Sequence, residues 1–281
     1  MMKKIIYNLL FFFLVGNSIA QQTPAKAQLT SFSIEGATAH IGDGTVIKNS
    51  LIMFANGTIN FVGSAMTKIA RQGTVINAKG KHVYPGFIAA NATLGLVEID
   101  AVKATDDQDE IGIMNPHIRS LIAYNAESKV VESMRPNGVL MAQITPRGGT
   151  ISGTSSIVQL DAWNWEDASI QADDAIHMNW PSSFISGKWW LGEDPALKPD
   201  AKYADKIGTI KTYFMNAKNY LGGTQTKIHL PYQSTAGLFN GSKKLFLHVN
   251  GQKEITDAIT ISKDLGINNL VIVHGAHADK V

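Results

Sequence analysis

A chain of 281 residues with 44% hydrophobic residues is long enough to bury a sizeable core. It contains no cysteine, so it can form no disulfide framework and carry no lipid-modified cysteine. The formal charge of +2 includes Lys3 and Lys4, and no Lys/Arg cluster follows them, which removes the basic face that nucleic acid requires.

Residues 1–20, MMKKIIYNLLFFFLVGNSIA, have a basic start, an apolar run from Ile5 to Val15 and small residues at Ser18 and Ala20. That pattern predicts a secretory signal peptide cleaved after Ala20. The apolar run is shorter than the roughly 20 residues a spanning helix needs. The expected mature product is therefore soluble, periplasmic or secreted, and not membrane-bound.

Residues 21–81 run in short apolar pieces separated by Gly, Asn and Asp, and predict a small β-sandwich domain. Asn56-Gly57, between LIMF and TINFV, is a hairpin signal because both positions accept positive φ. Beyond Lys81, apolar strands alternate with helical stretches, the pattern of a parallel α/β sheet. The stretch YPGFIAANATLGL predicts a strand in which Asn91 and Thr93, two apart, share a face.

The acidic run from Glu98 to Glu110 lacks EF-hand spacing and reads as a solvated loop. RGGTISGTSS, from Arg147 to Ser156, is glycine-rich but lacks the Gly-Lys-Ser/Thr ending of a phosphate-binding loop. Residues 161–233 hold all five tryptophans and fit the alternation poorly. They predict an excursion with one helix near 202–220, packed by its own aromatics or lining a substrate.

The C-terminal segment reads as a βαβ unit: KLFLHV is a strand, Ile255, Ala258, Ile259 and Leu265 recur at helical spacing, Gly266 stops the helix, and NLVIV is the next strand. His248 and His274 end these two strands. Consecutive parallel strands point their carboxyl ends to one rim, where such folds gather ligands and catalytic groups. His229 and His277 are left without a role.

ANGTINFVGS followed by VINAKGKHVYPGFIAANAT resembles the entry segment of the amidohydrolase superfamily, in which D-G-x-I-x-x-V-G precedes D-A-x-G-x-x-V-x-P-G-F-I-D-x-H-x-H. LFLHVNG and VIVHGAH resemble that superfamily's fifth and sixth barrel strands, each ending in histidine, and the imidazolonepropionase-like secreted members are the most similar. The resemblance implies a TIM-type (β/α)8 barrel over residues 82–281, beside the small β-sandwich. It also implies metal-dependent hydrolysis of C–N bonds in cyclic amides, dipeptides or similar small molecules. His248 and His274 match catalytic and metal-binding histidines, with zinc the first candidate for a single divalent metal. Asn91 and Thr93 stand at the His-x-His positions as substrate-lining groups, and Ala89 replaces the preceding Asp. No counterpart of the eighth-strand Asp follows, so the expected barrel is incomplete, part of a longer or frame-disrupted product.

The expected partner is a small-molecule substrate or ligand, with a homo-oligomer open. A second hypothesis is a non-catalytic descendant that binds a small ligand or is completed by a catalytic partner. A third is a truncated product with no function of its own.

Overall fold

The computed structural model describes residues 23–224 and 227–281; the expected signal peptide lies outside them. The chain divides after Phe87 into two compact units. Among the described residues, no helix is long and apolar enough to cross a membrane.

The first unit holds β1 (Phe32–His40), β2 (Val46–Ala55), β3 (Thr58–Ser64), β4 (Thr74–Asn77) and β5 (His82–Val83) in one sheet, ordered β3-β2-β1-β4 with β5 also on β1. Among the described residues it forms one such layer, where a sandwich was expected. The predicted hairpin is present: Asn56 and Gly57 take φ of 52° and 71° and pair Ala55 with Thr58. Ala37 and Ala39 of β1 and Leu51 and Met53 of β2 are buried on alternate positions, as a half-buried sheet requires.

The second unit continues with β6 (Phe87–Ala92), α1 (Lys129–Met134), β7 (Val139–Ile144), β8 (Ile151–Gln159), α2 (Trp165–Ala168) and β9 (Ser169–Asn179). A two-stranded ribbon, β10 (Phe184–Ile185) and β11 (Lys198–Pro199), precedes α3 (Tyr203–Gly222), α4 (Leu230–Gln233) and α5 (Ala236–Phe239). The chain then forms β12 (Lys244–Val249), α6 (Gln252–Asp264) and β13 (Leu270–His274). Six of these strands make one curled, half-barrel sheet in the order β13-β12-β9-β8-β7-β6. It is mixed: β9, β12 and β13 are parallel, whereas β8 is antiparallel to both β7 and β9.

The predicted βαβ unit is β12-α6-β13, paired in register from Leu245↔Leu270 to Val249↔His274. Gly266, at φ 88°, follows α6 and donates its N–H to Lys263 O, a left-handed stop that glycine adopts without a Cβ clash. One face of the sheet is apolar. Ile176 and Met178 of β9 and Leu245, Leu247 and Val249 of β12 pack against Ile207, Ile210 and Phe214 of α3 and Ile255 and Ala258 of α6. Each fully buried Leu or Ile contributes about 2 kcal/mol of hydrophobic stabilisation. A second cluster, including Ala142, Ile144, Val158 and Leu121, covers β7 and β8.

Residues 161–233 differ from the expected excursion. The helix near 202–220 is α3, but the segment also contains β9, an eleven-residue central strand. Its alternation is broken by a register shift between Gln171 and Ala175, where Asp173 takes φ 54°, and that hides the strand from a periodicity reading. Its tryptophans do not pack as one group. Trp180 joins the main core and donates from Nε1 to Tyr203 Oη at 3.1 Å, while Trp163, Trp189 and Trp190 are exposed.

Two glycines of the first unit separate steric from conformational cost. Both are left-handed, Gly73 at φ 59° and Gly80 at φ 79°. A Cβ on Gly73 would stand 1.9 Å from Ser31 O, whereas nothing lies within 4 Å of one on Gly80. Gly80→Ala should cost about 1–2 kcal/mol, the left-handed penalty. Gly73→Ala should cost clearly more, because Ser31 O also accepts Thr74 N–H at 2.9 Å and joins β4 to β1. Chemical denaturation of both variants measures this, and equal losses would show that the Ser31 segment yields freely.

Candidate functional site

The sheet face opposite the helices is polar. Alternation that sends Ile176, Met178, Leu245 and Leu247 into the apolar core turns His177 and Phe246 the other way, followed by Asn179 and His248, which are register partners. In β7, Ala142 and Ile144 enter the second core and Gln143 turns to the polar face. Ser155 of β8 lies opposite Ala175 and completes the row.

These groups form one hydrogen-bonded chain. Gln143 Nε2 donates to Asp174 Oδ2 at 2.8 Å, and Ser155 Oγ donates to Asp174 Oδ1 at 2.7 Å. The Ser155 hydroxyl has one proton, and the ionised carboxylate can only accept it. His177 Nε2, 2.9 Å from Ser155 Oγ, must therefore be the N–H donor of that pair. His177 Nδ1 is then an acceptor, so His248 Nε2, 2.9 Å away, carries the hydrogen between them. His248 Nδ1 is left with its lone pair free to accept from a ligand.

His177 is fully buried, and its pKa is pushed down to about 2, first by burial and then by His248 and Arg147. His248 is pushed down to about 4 by burial, Arg147 and His274. Both imidazoles are neutral near pH 7; the chain of donors requires this of His177, whose Nδ1 must accept, and the lone pair on Nδ1 requires it of His248.

His274 ends β13 opposite Val249, a position whose alternation points to the apolar side. Its φ of 72° takes it out of the extended pattern, and its ring centroid lies 5.6 Å from that of His248. Asn91 shows the same device at the other edge of the sheet. At φ 51° it offers its N–H to Gln143 Oε1 at 3.3 Å, its Oδ1 to Arg147 Nη1 at 2.8 Å and its backbone oxygen to Arg147 Nη2 at 2.7 Å. Asn tolerates this left-handed conformation better than most residues.

The structure thus brings His248 and His274 together, and ties Asn91 to them through Gln143, Asp174, Ser155 and His177. Thr93 is not brought in. β6 ends at Ala92, the left-handed Asn91 breaks the alternation that would put both residues on one face, and Thr93 O accepts Leu96 N–H at 3.0 Å. His229 caps α4, its Nδ1 accepting Tyr232 N–H at 3.2 Å. Sequence reasoning missed His177, Ser155, Asp174 and Arg147. The alternation Ile176-His177-Met178-Asn179 was the available signal for the first.

The glycine-rich stretch from Arg147 runs into strand β8 instead of a helix, so it lacks the helix N-terminus on which a phosphate-binding loop depends. Its fold is set by Asn179, whose Nδ2 donates to Gly148 O at 3.1 Å and Gly149 O at 2.9 Å.

No family model matches the sequence, and no curated protein is significantly similar to it. Among solved structures, an amidohydrolase from Thermotoga maritima MSB8 is similar with a TM-score of 0.73 and 21% identity, over 89% of this chain and 66% of that one. A prolidase complexed with N-methylphosphonate-L-proline gives a TM-score of 0.42 at 11% identity, covering 83% of this chain and 59% of the other. The likeness to the Thermotoga protein shows a shared fold, of which this chain spans slightly less than two thirds.

The depressed histidines fix the sign of a pH dependence. The unfolded chain binds these protons near the ordinary histidine pKa of about 6.5, and the folded chain binds that of His248 only near pH 4. Stability is full above about pH 6.5 and is lost as pH falls from there towards 4. Arg147, His274 and His177 face His248 and oppose its protonation, or that of its partner. The urea midpoint should fall between pH 7 and about 4.5 in the wild type and fall less steeply in His248→Asn. Parallel pH profiles for the two proteins would contradict the assignment.

Proposed function

We propose that the protein is an exported amidohydrolase-type hydrolase of C–N bonds in cyclic amides, dipeptides or similar small molecules, and that this chain supplies the substrate-holding face of its site. The carrying observation is the placement of His248 and His274 at the carboxyl ends of adjacent parallel strands, rings 5.6 Å apart, above the polar face of a half-barrel sheet. The amidohydrolase fold found over 89% of the chain supports the class. Export rests on the N-terminal pattern of residues 1–20. The reading places the half-barrel sheet within a (β/α)8 barrel, and the single layer of the first unit within a β-sandwich.

In such hydrolases a divalent metal, zinc first among the candidates, polarises the scissile carbonyl and lowers the pKa of a bound water. The side chains here do not make a full ligand set for one. His248 and His274 are two imidazoles, and His248 Nε2 is committed to His177. At the rim, the Asn91 oxygens are held by a guanidinium. Among the described residues, no three His, Asp or Glu side chains gather as a cation site, whereas structural zinc takes four ligands and catalytic zinc three. The role left to these residues is orientation: the free Nδ1 of neutral His248 accepts a substrate N–H, and the buried row behind it holds the ring in place.

One observation favours a second reading, a module that binds a small ligand without hydrolysing it. Asn91 stands where the resemblance expects a metal-binding histidine, and both its oxygens are engaged by Arg147. The two readings separate on one assay. Ring opening of hydantoin and of a dihydropyrimidine to their ureido acids, and release of free amine from a dipeptide panel, are followed with zinc or manganese added. Turnover that falls by about 100-fold or more in folded His248→Asn is the result expected of the hydrolase. Binding of the same compounds with no hydrolysis would move the conclusion to the second reading.

A further inference from the structure

The chain has four arginines, and three of them hold carboxylates. Arg71 pairs with Glu35 at 2.9 Å, Arg119 with Asp173 at 2.8 Å, and Arg135 with Asp161. Arg147 is different. Its two terminal nitrogens donate to the neutral oxygens of Asn91 at 2.8 and 2.7 Å, and among the described residues it joins no ion pair. A guanidinium carries five N–H donors, so three remain beyond those two bonds.

This cation is also partly withdrawn from water. Arg147 is half-buried, and burial alone lowers its pKa, with no acid acting to offset it. Holding a charge in that state is unfavourable unless something neutralises it. The candidate counter-ions within the protein are already engaged. Asp109, whose backbone bridges to that of Arg147, takes Lys103 Nζ at 2.5 Å. Asp174 takes Ser155 and Gln143. The imidazoles that feel Arg147, His177 and His248, are neutral near pH 7.

The guanidinium is nonetheless firmly placed. Arg147 N–H donates to Gln108 O at 2.6 Å, and Asn179 and Ser152 both hold the Gly148 carbonyl that follows. A positioned, partly desolvated guanidinium without an internal acid is an arrangement that favours an anion from outside.

We propose that Arg147 is the anion-recognition residue of this site and that the ligand it serves carries a carboxylate. A carboxylate fits because one singly charged fork is available. A doubly charged phosphate is less well matched by this single fork, because the loop after Arg147 enters strand β8 and adds no helix N-terminus to share its charge. The inference deepens the preceding reading by giving its substrate class an acid group. It concerns binding, so it is tested without turnover.

The probes are N-acetylglycine and its neutral counterpart N-acetylglycinamide, titrated by calorimetry and by NMR of the arginine Nε–H signals. The acid should bind about tenfold or more tightly than the amide, with the Arg147 Nε–H resonance shifting on saturation. Arg147→Gln should abolish the preference. Arg147→Lys, which keeps the charge and loses the fork, should retain part of it. Because Arg147→Gln also frees Asn91, its fold is checked by circular dichroism, and the wild-type resonance shift stands as a measurement that needs no variant. Equal affinity for acid and amide, no saturable binding of the acid, or a preference that survives in folded Arg147→Gln would each overturn the proposal. Acid preference without hydrolysis of any substrate would sink the hydrolase reading and leave this one standing.

Discussion

Strand alternation organises the second unit, because a period of two gives each strand of a sheet two chemically distinct faces. On one face, Ile176, Met178, Leu245 and Leu247 are covered by α3 and α6, and Ala142, Ile144 and Val158 by the second cluster. Whatever lies between them in sequence must then occupy the other face. That is how Gln143, Ser155, His177 and His248, distant in sequence, become a single row. Shifting one strand by one residue would place a histidine among the leucines and a leucine in the polar row, so the apolar core also sets the register of the site.

Among the described residues of the second unit, three non-glycine residues leave the extended pattern through a positive φ, and all three bear on the site. Asn91, Asp173 and His274 have positive φ, a conformation that costs a non-glycine residue roughly 1–2 kcal/mol. Each deviation brings in a group that alternation would not. Asn91 turns towards Gln143 and Arg147, His274 reaches the ring of His248, and the irregular stretch around Asp173 sets Asp174 against Ser155. Strain of this kind persists only where surrounding bonds over-determine it. For Asn91 the bonds with Arg147 and Gln143 provide such support, and for Asp173 those with Arg119 and Ser156.

How much of this was legible follows from the same two features. Where alternation is intact and a helix intervenes, as from Lys244 to His274, sequence was sufficient to place β12, α6 and β13 and to bring His248 and His274 to one rim. The Asn56-Gly57 hairpin was legible because its turn chemistry is local. β9 was not, since its register shift near Asp173 and the tryptophans around it disguised a central strand as an excursion, and His177 was lost with it. Thr93 was misplaced for a related reason: two-residue spacing implies a shared face only while the backbone stays extended, and Asn91 does not. Arg147 sat in a stretch that was weighed only against a phosphate loop, so its side chain went unconsidered. Its pairing with an asparagine is a tertiary fact that no local pattern encodes.

The polar row also limits what the site can be. A buried chain of donors and acceptors is stable only when its members are satisfied, since an unpaired buried polar group costs roughly 1–3 kcal/mol. Here the order of donors is forced from Asp174 outward: carboxylate, hydroxyl, imidazole, imidazole. Protonating His177 would set two N–H groups against each other, and protonating either ring would add a cation beside Arg147, so the row keeps its direction with a neutral His177 and its free outer lone pair with a neutral His248. The charged group left with donors to spare is then the guanidinium. A site with neutral acceptors along its floor and one cation at its rim discriminates by charge, and a ligand with an acid at one end and an N–H at the other meets both. The fold sets the spacing of those two features, and the apolar core on the far side of the sheet keeps it constant.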